Sequence, residues 1–390
     1  MNTLNSTVIN PAVIKRCLGL SLASLLTGVA LTPPPATAQT SATFCRVQET
    51  QDTPAPRDIS EGDLTQGRSY GDPHMNTFDG FHYGFQTVGE FILAKSSDRT
   101  FEVQTRQAQV PNRTNLSLNT AVAMRVCDHR VAFYVQDAPD GSVDALWVDG
   151  QAITFNDDNA FALPNGGEIQ RQSDTRYTVL WPTGDQVALK LITVSGARFV
   201  NILPSVTRDR RGQMVGLLGN FNGNESDDLI SRDGTAMPTR STYSVASNAL
   251  NRALPAGIPV QELSTAYLEQ LNRQFGDSWR ISQAESLFDY APGVTTASFT
   301  NRSFPDTFLT LDGVSDEDLA MAVTECEAAG VAEEMMDGCV FDIAATGNTG
   351  FANAALNAVA NVVVDRATDR LIDELNDISP IPIPRGWGLF

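Results

Sequence analysis

From Phe81 to about Pro204 apolar and polar residues alternate in short runs, each cut off by a turn signal, and a period of two is what a half-buried strand requires. The runs are Tyr83 to Ala94, Phe101-Val103-Thr105 in alternation, Ala121 to Val126, Val131 to Val135, Leu146 to Val148, Ile153 to Phe155, Tyr177 to Leu180, Val187 to Leu191 and Phe199 to Leu203. Between them stand Asp149-Gly150, Asn165-Gly166-Gly167 and Thr183-Gly184-Asp185, whose glycine and asparagine accept the positive φ of tight hairpins. Many short strands with frequent turns predict a mainly β fold, an antiparallel β-sandwich.

After about Val245 the period becomes helical. Val260 to Phe275 places Leu263, Tyr267, Leu268 and Leu271 on one face, and Ser315 with Asp318 forms a capping pair ahead of Leu319, Ala322 and Val323. Phe351 to Leu375 reads as a further helical stretch, alanine-rich, interrupted by asparagines and too polar for a membrane span. The chain is therefore divided into a sandwich domain at 69–245, a smaller, mostly α-helical, cysteine-containing module at 246–376, and a Pro-rich tail at 377–390. Ahead of these, Lys15 and Arg16 precede the apolar run Leu18 to Leu31, and Ala36-Thr37-Ala38 supplies small residues for cleavage, so 1–38 is read as a secretory signal peptide. The apolar run is shorter than the roughly 20 residues that span a bilayer, which argues against an uncleaved anchor and for a mature chain without a membrane span. Residues 39–68, rich in Gln, Thr, Asp and Pro, are read as a linker.

With 390 residues, 42% of them hydrophobic, the chain can bury a substantial core. Its net charge of −19 disfavours phosphate backbones, so no nucleic-acid partner is expected. Export places it outside the cell, or in the periplasm or at the cell surface. Loss of the leader, which carries Cys17, leaves Cys45, Cys127, Cys326 and Cys339, and an even count in an exported chain argues for disulfides. Locality favours Cys326 with Cys339, leaving Cys45 for Cys127, although connectivity does not follow from sequence alone. Their spacing resembles no zinc site.

Two distant stretches are dense in side-chain oxygens: Gly71-Asp72-Pro73-His74-Met75-Asn76-Thr77-Phe78-Asp79-Gly80 and Gly216 to Leu229. Carboxylates and amides clustered with glycine suit a hard cation such as Ca2+. Neither stretch looks like a nucleophile with its base. The histidines are His74, His82 and His129, and the chain has no paired-histidine metal motif, no Gly-x-Ser-x-Gly elbow and no phosphate-binding glycine loop, so no conventional enzyme is expected. His74 and His82 straddle Asp79, a spacing open to a small transition-metal site, but surface or structural roles are the preferred reading. Arg208, Arg210 and Arg211 form a basic run, read as a solvated loop.

The first stretch, continued through Tyr83, Phe85, Gly89 and Phe91-Ile92-Leu93-Ala94, together with Gly216-Leu217-Leu218-Gly219-Asn220-Phe221-Asn222-Gly223 and Asp228, resembles a von Willebrand factor type D domain over residues 69–245. Phe275-Gly276-Asp277-Ser278-Trp279-Arg280, Ser286-Leu287-Phe288, Phe304-Pro305, Cys326 and Cys339-Val340-Phe341-Asp342 resemble the segment trailing such domains in extracellular, mucin-like proteins. The chain departs from the family in its few cysteines, with Leu218 where many members carry one. Disulfide-linked assembly is therefore not expected, and oligomeric state is left open.

The resemblance implies a Ca2+ site formed by Asp79, Asn220, Asn222, Asp227 and Asp228. The residues agree with it: Asn220-x-Asn222-x-Asn224 sets alternate side chains on one side of a loop, Gly223 permits its bend, and the adjacent Asp227 and Asp228 carboxylates repel unless a cation neutralises them. An EF-hand does not fit, because the glycine and the acidic residue fall at the wrong loop positions. Some members of the family also break the Asp-Pro bond of a Gly-Asp-Pro-His sequence while others keep it. Here that bond is Asp72-Pro73, with the Asp72 carboxylate as internal nucleophile and His74 as proton donor. The resulting expectation is a non-enzymatic, calcium-stabilised adhesion, matrix or protein-interaction module that faces an extracellular protein or glycan. The alternative is a secreted protein that cleaves itself at Asp72-Pro73.

Overall fold

Alternation along the strands produces two antiparallel sheets whose apolar faces meet. In the computed structural model, which describes residues 64–155, 159–164, 166–239, 265–311 and 314–358, the strands are numbered in chain order. A nine-stranded sheet runs in space as β11 (Ala160–Ala162), β12 (Glu168–Ser173), β13 (Arg176–Leu180), β14 (Gln186–Val194), β15 (Ala197–Thr207), β2 (Arg68–Tyr70), β3 (His74–Asn76) and β4 (His82–Gly84), with β1 (Leu64–Gln66) also paired to β15. The second, seven-stranded sheet runs β10 (Gln151–Ala152), β9 (Ala145–Val148), β8 (His129–Tyr134), β7 (Ser117–Val126), β6 (Phe101–Gln109), β5 (Gly89–Ser96) and β16 (Met214–Val215). Across the interior Phe101 meets Trp181 at 4.9 Å and Phe133 meets Tyr177 at 5.0 Å between ring centroids.

The long strand β15 is buried on both faces, which explains its nearly unbroken apolar run. Val200, Ile202 and Val206 enter the core between the sheets, whereas Phe199 and Leu203 turn outward into a second core. Helices supply the other wall of that second core. Leu319, Ala322 and Val323 come from Asp316–Ala328, and Val340 and Ile343 from Met336–Thr346. Ser315 caps the first of these helices, accepting from the Asp318 amide at 3.1 Å, as the sequence signature indicates. The Cys326–Cys339 disulfide fastens the two helices to each other. Cys127 is likewise disulfide-bonded, while Cys45, its expected partner, lies outside the described residues.

The region after the sandwich also enters the first core, through Tyr267, Leu271, Phe275, Trp279, Leu287 and Phe288. Residues 267–288 thus form part of the wall of the sandwich core. The helical period from Val260 to Phe275 is realised as an α-helix at Thr265–Glu269 that widens to π-helical turns at Gln270–Phe275. Arg106 clamps this region to β6: its Nε donates to Glu90 Oε1 at 2.8 Å, and its guanidinium carbon lies 3.5 Å from the centroid of Phe299 and 4.7 Å from that of Phe288.

Several readings need adjustment. Leu64–Gln66 forms a strand on β15 inside the stretch read as linker at 39–68, because pairing to an existing edge needs no hydrophobic period. Ile153 to Phe155 is not a strand; the Asp149-Gly150 turn, with φ of 50° and 84°, starts the return strand at once, at Gln151–Ala152. Arg210 is not in a solvated loop. It is 5% exposed and paired with Asp185 at 2.8 Å and Asp98 at 2.8 Å, so it ties the loop after β15 back to the sandwich. The helical stretch from Phe351 is seen as far as 358; its remainder, Leu263, the signal peptide, the rest of the linker and the tail lie outside the described residues.

Candidate functional site

The turn after β3 and the loop after β16 are brought together by backbone pairing. The Phe78 amide donates to the Leu218 carbonyl at 3.1 Å, and the Thr77 amide to the Phe81 carbonyl at 2.9 Å, which holds Asp79 at the tip of a closed turn. Leu218, standing where many family members carry cysteine, is fully buried. Phe221 packs on Phe78 at 5.7 Å while taking φ of 54°. A left-handed non-glycine residue costs about 1–3 kcal/mol, and here the buried ring holds it while Asn220 and Asn222 point to one side.

Hydrogen bonds link the five expected ligands across the two segments. Asp79 Oδ2 accepts from the Asn222 amide and Oδ1 from the Gly223 amide, both at 2.8 Å. Asp227 Oδ1 accepts from the side-chain amides of Asn220 at 3.0 Å and Asn222 at 3.1 Å. Those bonds, Asn220 first, hold the Asp227 carboxyl below the usual aspartate range. Asp228 is 2% exposed; its Oδ2 accepts from Thr77 Oγ1 at 2.6 Å and its Oδ1 from the Asn220 amide at 3.2 Å. Burial pushes its pKa up to about 7, with the charge of Asp79 adding to the rise against the Thr77 hydrogen bond. The donor set is hard oxygen throughout, graded from the exposed Asn222 to the buried Asp228, which is the chemistry Ca2+ takes, although the oxygens of Asp79, Asp227 and Asp228 already accept protein hydrogen bonds and would have to turn toward an ion. Gly219 is required at its place, since at φ of 79° a Cβ would stand 2.2 Å from Asp228 Oδ1.

The other motif occupies a second place. Asp72 and Pro73 form the turn between β2 and β3, and His74 opens β3. Asp72 and His74 are fully buried, with His74 Nε2 2.7 Å from Asp72 Oδ1. The same nitrogen lies 2.6 Å from Asp342 Oδ1, a residue of the helix Met336–Thr346 that the sequence reading did not associate with this motif. Against the cost of burial, the Asp342 and Asp72 carboxylates push His74 well above the usual histidine range; burial and Asp72 push Asp342 well above the aspartate range. Both shifts favour the protonated forms of His74 and Asp342. His82 instead lies 3.4 Å from Asp337, so His74 and His82 do not form a joint metal site around Asp79.

Residues 67–235 match the family model described as von Willebrand factor type D domain, so the chain contains a domain of this class. Among known proteins it is 26% identical to mucin-4 of Mus musculus over 186 residues, covering 45% of this chain and 5% of that protein. It is 29% identical to zonadhesin of Oryctolagus cuniculus over 179 residues, covering 42% of this chain and 6% of that protein. A longer match, 24% over 285 residues, to Sushi domain-containing protein 2 of Homo sapiens takes in 72% of this chain and 30% of that protein. The chain thus spans less than a third of each of these relatives. Among the described residues no helix is long and apolar enough to cross a membrane.

Proposed function

We propose that the chain is an exported, non-enzymatic binding module whose type D domain is stabilised by Ca2+ and displays its surface to another extracellular protein or glycan. The observation that carries this reading is the junction of Asp79 with the 220–228 loop, where two main-chain amides and a second, buried carboxylate converge on one aspartate from a distant turn. Asp79, Asn220, Asn222, Asp227 and Asp228 would hold the ion, which would cancel the mutual repulsion of the carboxylates and fix the loop as a rigid part of the surface. The matches to mucin-4 and zonadhesin support a role in adhesion or matrix, and the signal-like leader supports export. The test is recovery of a partner from the native extracellular fraction on the immobilised mature chain, with Ca2+ and with chelator. A partner retained with Ca2+ and released by chelator or by Asp79→Ala is expected. Capture unaffected by either, or no capture at all, contradicts the proposal.

One observation favours the self-processing alternative. The Asp72 carboxylate makes no hydrogen bond among the described residues and lies against His74, the arrangement an internal nucleophile needs. A side-chain oxygen would bond to the Asp72 carbonyl carbon as the bond to Pro73 breaks and a proton passes to the proline nitrogen; water then opens the anhydride. Mass spectrometry after incubation at mildly acid pH would show a fragment starting at Pro73, and an intact chain refutes this alternative.

A further inference from the structure

The Asp72, His74 and Asp342 cluster is out of solvent, 268 residues separate His74 from Asp342, and neither a fold requirement nor the proposed Ca2+ site accounts for it. One ring nitrogen carries at most one hydrogen, and the Nε2 hydrogen position is taken by Asp342 at 2.6 Å. Asp72 Oδ1 nonetheless stands 2.7 Å from the same nitrogen, and neither of its oxygens is hydrogen-bonded among the described residues. A second, separate polar group is stranded beside it. The Tyr70 hydroxyl, in a residue 1% exposed, makes no hydrogen bond among the described residues, and its ring lies 5.1 Å from that of His74. Two ionised carboxylates around one imidazole would leave net negative charge in the interior even with the histidine protonated, a costly arrangement that the cluster escapes only by keeping a further proton or by taking up a cation.

We propose that Asp72, His74 and Asp342 form a buried site for one divalent transition ion of the zinc class, distinct from the Ca2+ site and bridging the type D domain to the trailing helices. All three ligand atoms lie within 4.8 Å of one another. With a neutral imidazole and two carboxylates, a doubly charged ion brings the cluster to zero net charge. The ion takes the place of the protons that the empty cluster must otherwise hold between its imidazole and its carboxylates. One nitrogen and two oxygens are too few and too nitrogenous for calcium, which takes six to eight oxygens, whereas zinc accepts three protein ligands with water as the fourth. A cavity of about 20 Å³ lined by Asp72, His74 and Phe341 adjoins the cluster, room for a single water. Zinc bonds of about 2.0–2.1 Å place tetrahedral ligands roughly 3.3 Å apart, so each carboxylate must draw back from His74 by about 0.6–0.7 Å to admit the ion.

The test uses the mature chain, stripped with chelator and then held in excess Ca2+ so that oxygen-only sites are filled. Zinc titrated by calorimetry is expected to bind at one equivalent, cobalt to give the visible bands of a low-coordinate ion, and X-ray absorption of the zinc form to show one imidazole among oxygen neighbours. Asp342→Asn, which keeps the side chain's shape, should weaken zinc at least about tenfold, whereas Asp233→Asn, at an exposed turn, should leave zinc affinity unchanged. Absence of zinc binding by the wild type, a shell without imidazole, or equal affinity in Asp342→Asn overturns the site. The absorption measurement needs only the wild type, so a variant that fails to fold does not remove the test.

Discussion

Replacing Arg106 probes how the trailing region is joined to the sandwich. Arg106 and Glu90 are each 1% exposed, linked through Nε and Nη2 to one carboxylate oxygen at 2.8 Å, and Tyr290 donates to the other oxygen at 2.6 Å. The guanidinium also faces the rings of Phe299 and Phe288, both in the trailing region. Arg106→Leu leaves Glu90 buried without its counter-charge, a loss of about 3–5 kcal/mol, and removes cation–π attraction of about 1–2 kcal/mol. The expected total is about 4–7 kcal/mol. The double variant Arg106→Leu with Glu90→Gln removes both charges and keeps an acceptor for Tyr290, so its loss should shrink to about 2 kcal/mol. Urea unfolding followed by tryptophan fluorescence, in Ca2+ at neutral pH, measures all three. The reasoning is refuted if Arg106→Leu costs less than about 1 kcal/mol, or if the double variant is as unstable as the single one.

Other outcomes follow from the same geometry. Burial raises the Asp98 carboxyl, but hydrogen bonds from Ser96 and Thr100 and the Arg210 charge outweigh it and hold the pKa at about 2, below the ordinary 3.8. Its contribution is therefore complete above about pH 3.8 and lost as pH falls through 2, and Asp98→Asn should flatten the acid limb of stability in that window, read by denaturant midpoints at stepped pH. Removing the Cys326–Cys339 bridge, with a sequence separation of 13, should cost about 3 kcal/mol as judged by chemical unfolding of the double serine variant. Gly219→Ala drives a methyl against Asp228 at a left-handed φ and should abolish Ca2+ binding in calorimetry, whereas Gly330→Ala, equally left-handed but in the turn after the helix Asp316–Ala328 and with nothing within 4 Å of its Cβ, should leave binding intact.

The sheet strands with a period of two were legible because half-buried pairing imposes that period, and Tyr177–Leu180 or Val187–Leu191 are found where the alternation puts them. β1 and β2 were not, since short strands added to β15 borrow its register and need no pattern of their own. The polar 220–228 loop was legible through the local spacing of Asn220, Asn222 and Asp228, and its meeting with Asp79 through family resemblance. Asp342 was hidden because its meeting with His74 depends on how the helix Met336–Thr346 packs over the outer face of the sheet, and no local signal encodes that contact. The quoted run Cys339-Val340-Phe341-Asp342 did contain the residue; a carboxylate on the buried face of an otherwise apolar helix was the available signal.

The central claim, that Ca2+ holds the 220–228 loop to Asp79, is tested most directly by the melting temperature of the mature chain in Ca2+ and in chelator. At a hundredfold excess over Kd the ion contributes about 2.7 kcal/mol, which for a domain of this size is about 5 °C or more. The account predicts a shift of that order in the wild type and its disappearance in Asp79→Ala. A wild-type melting temperature that is the same in Ca2+ and in chelator contradicts it.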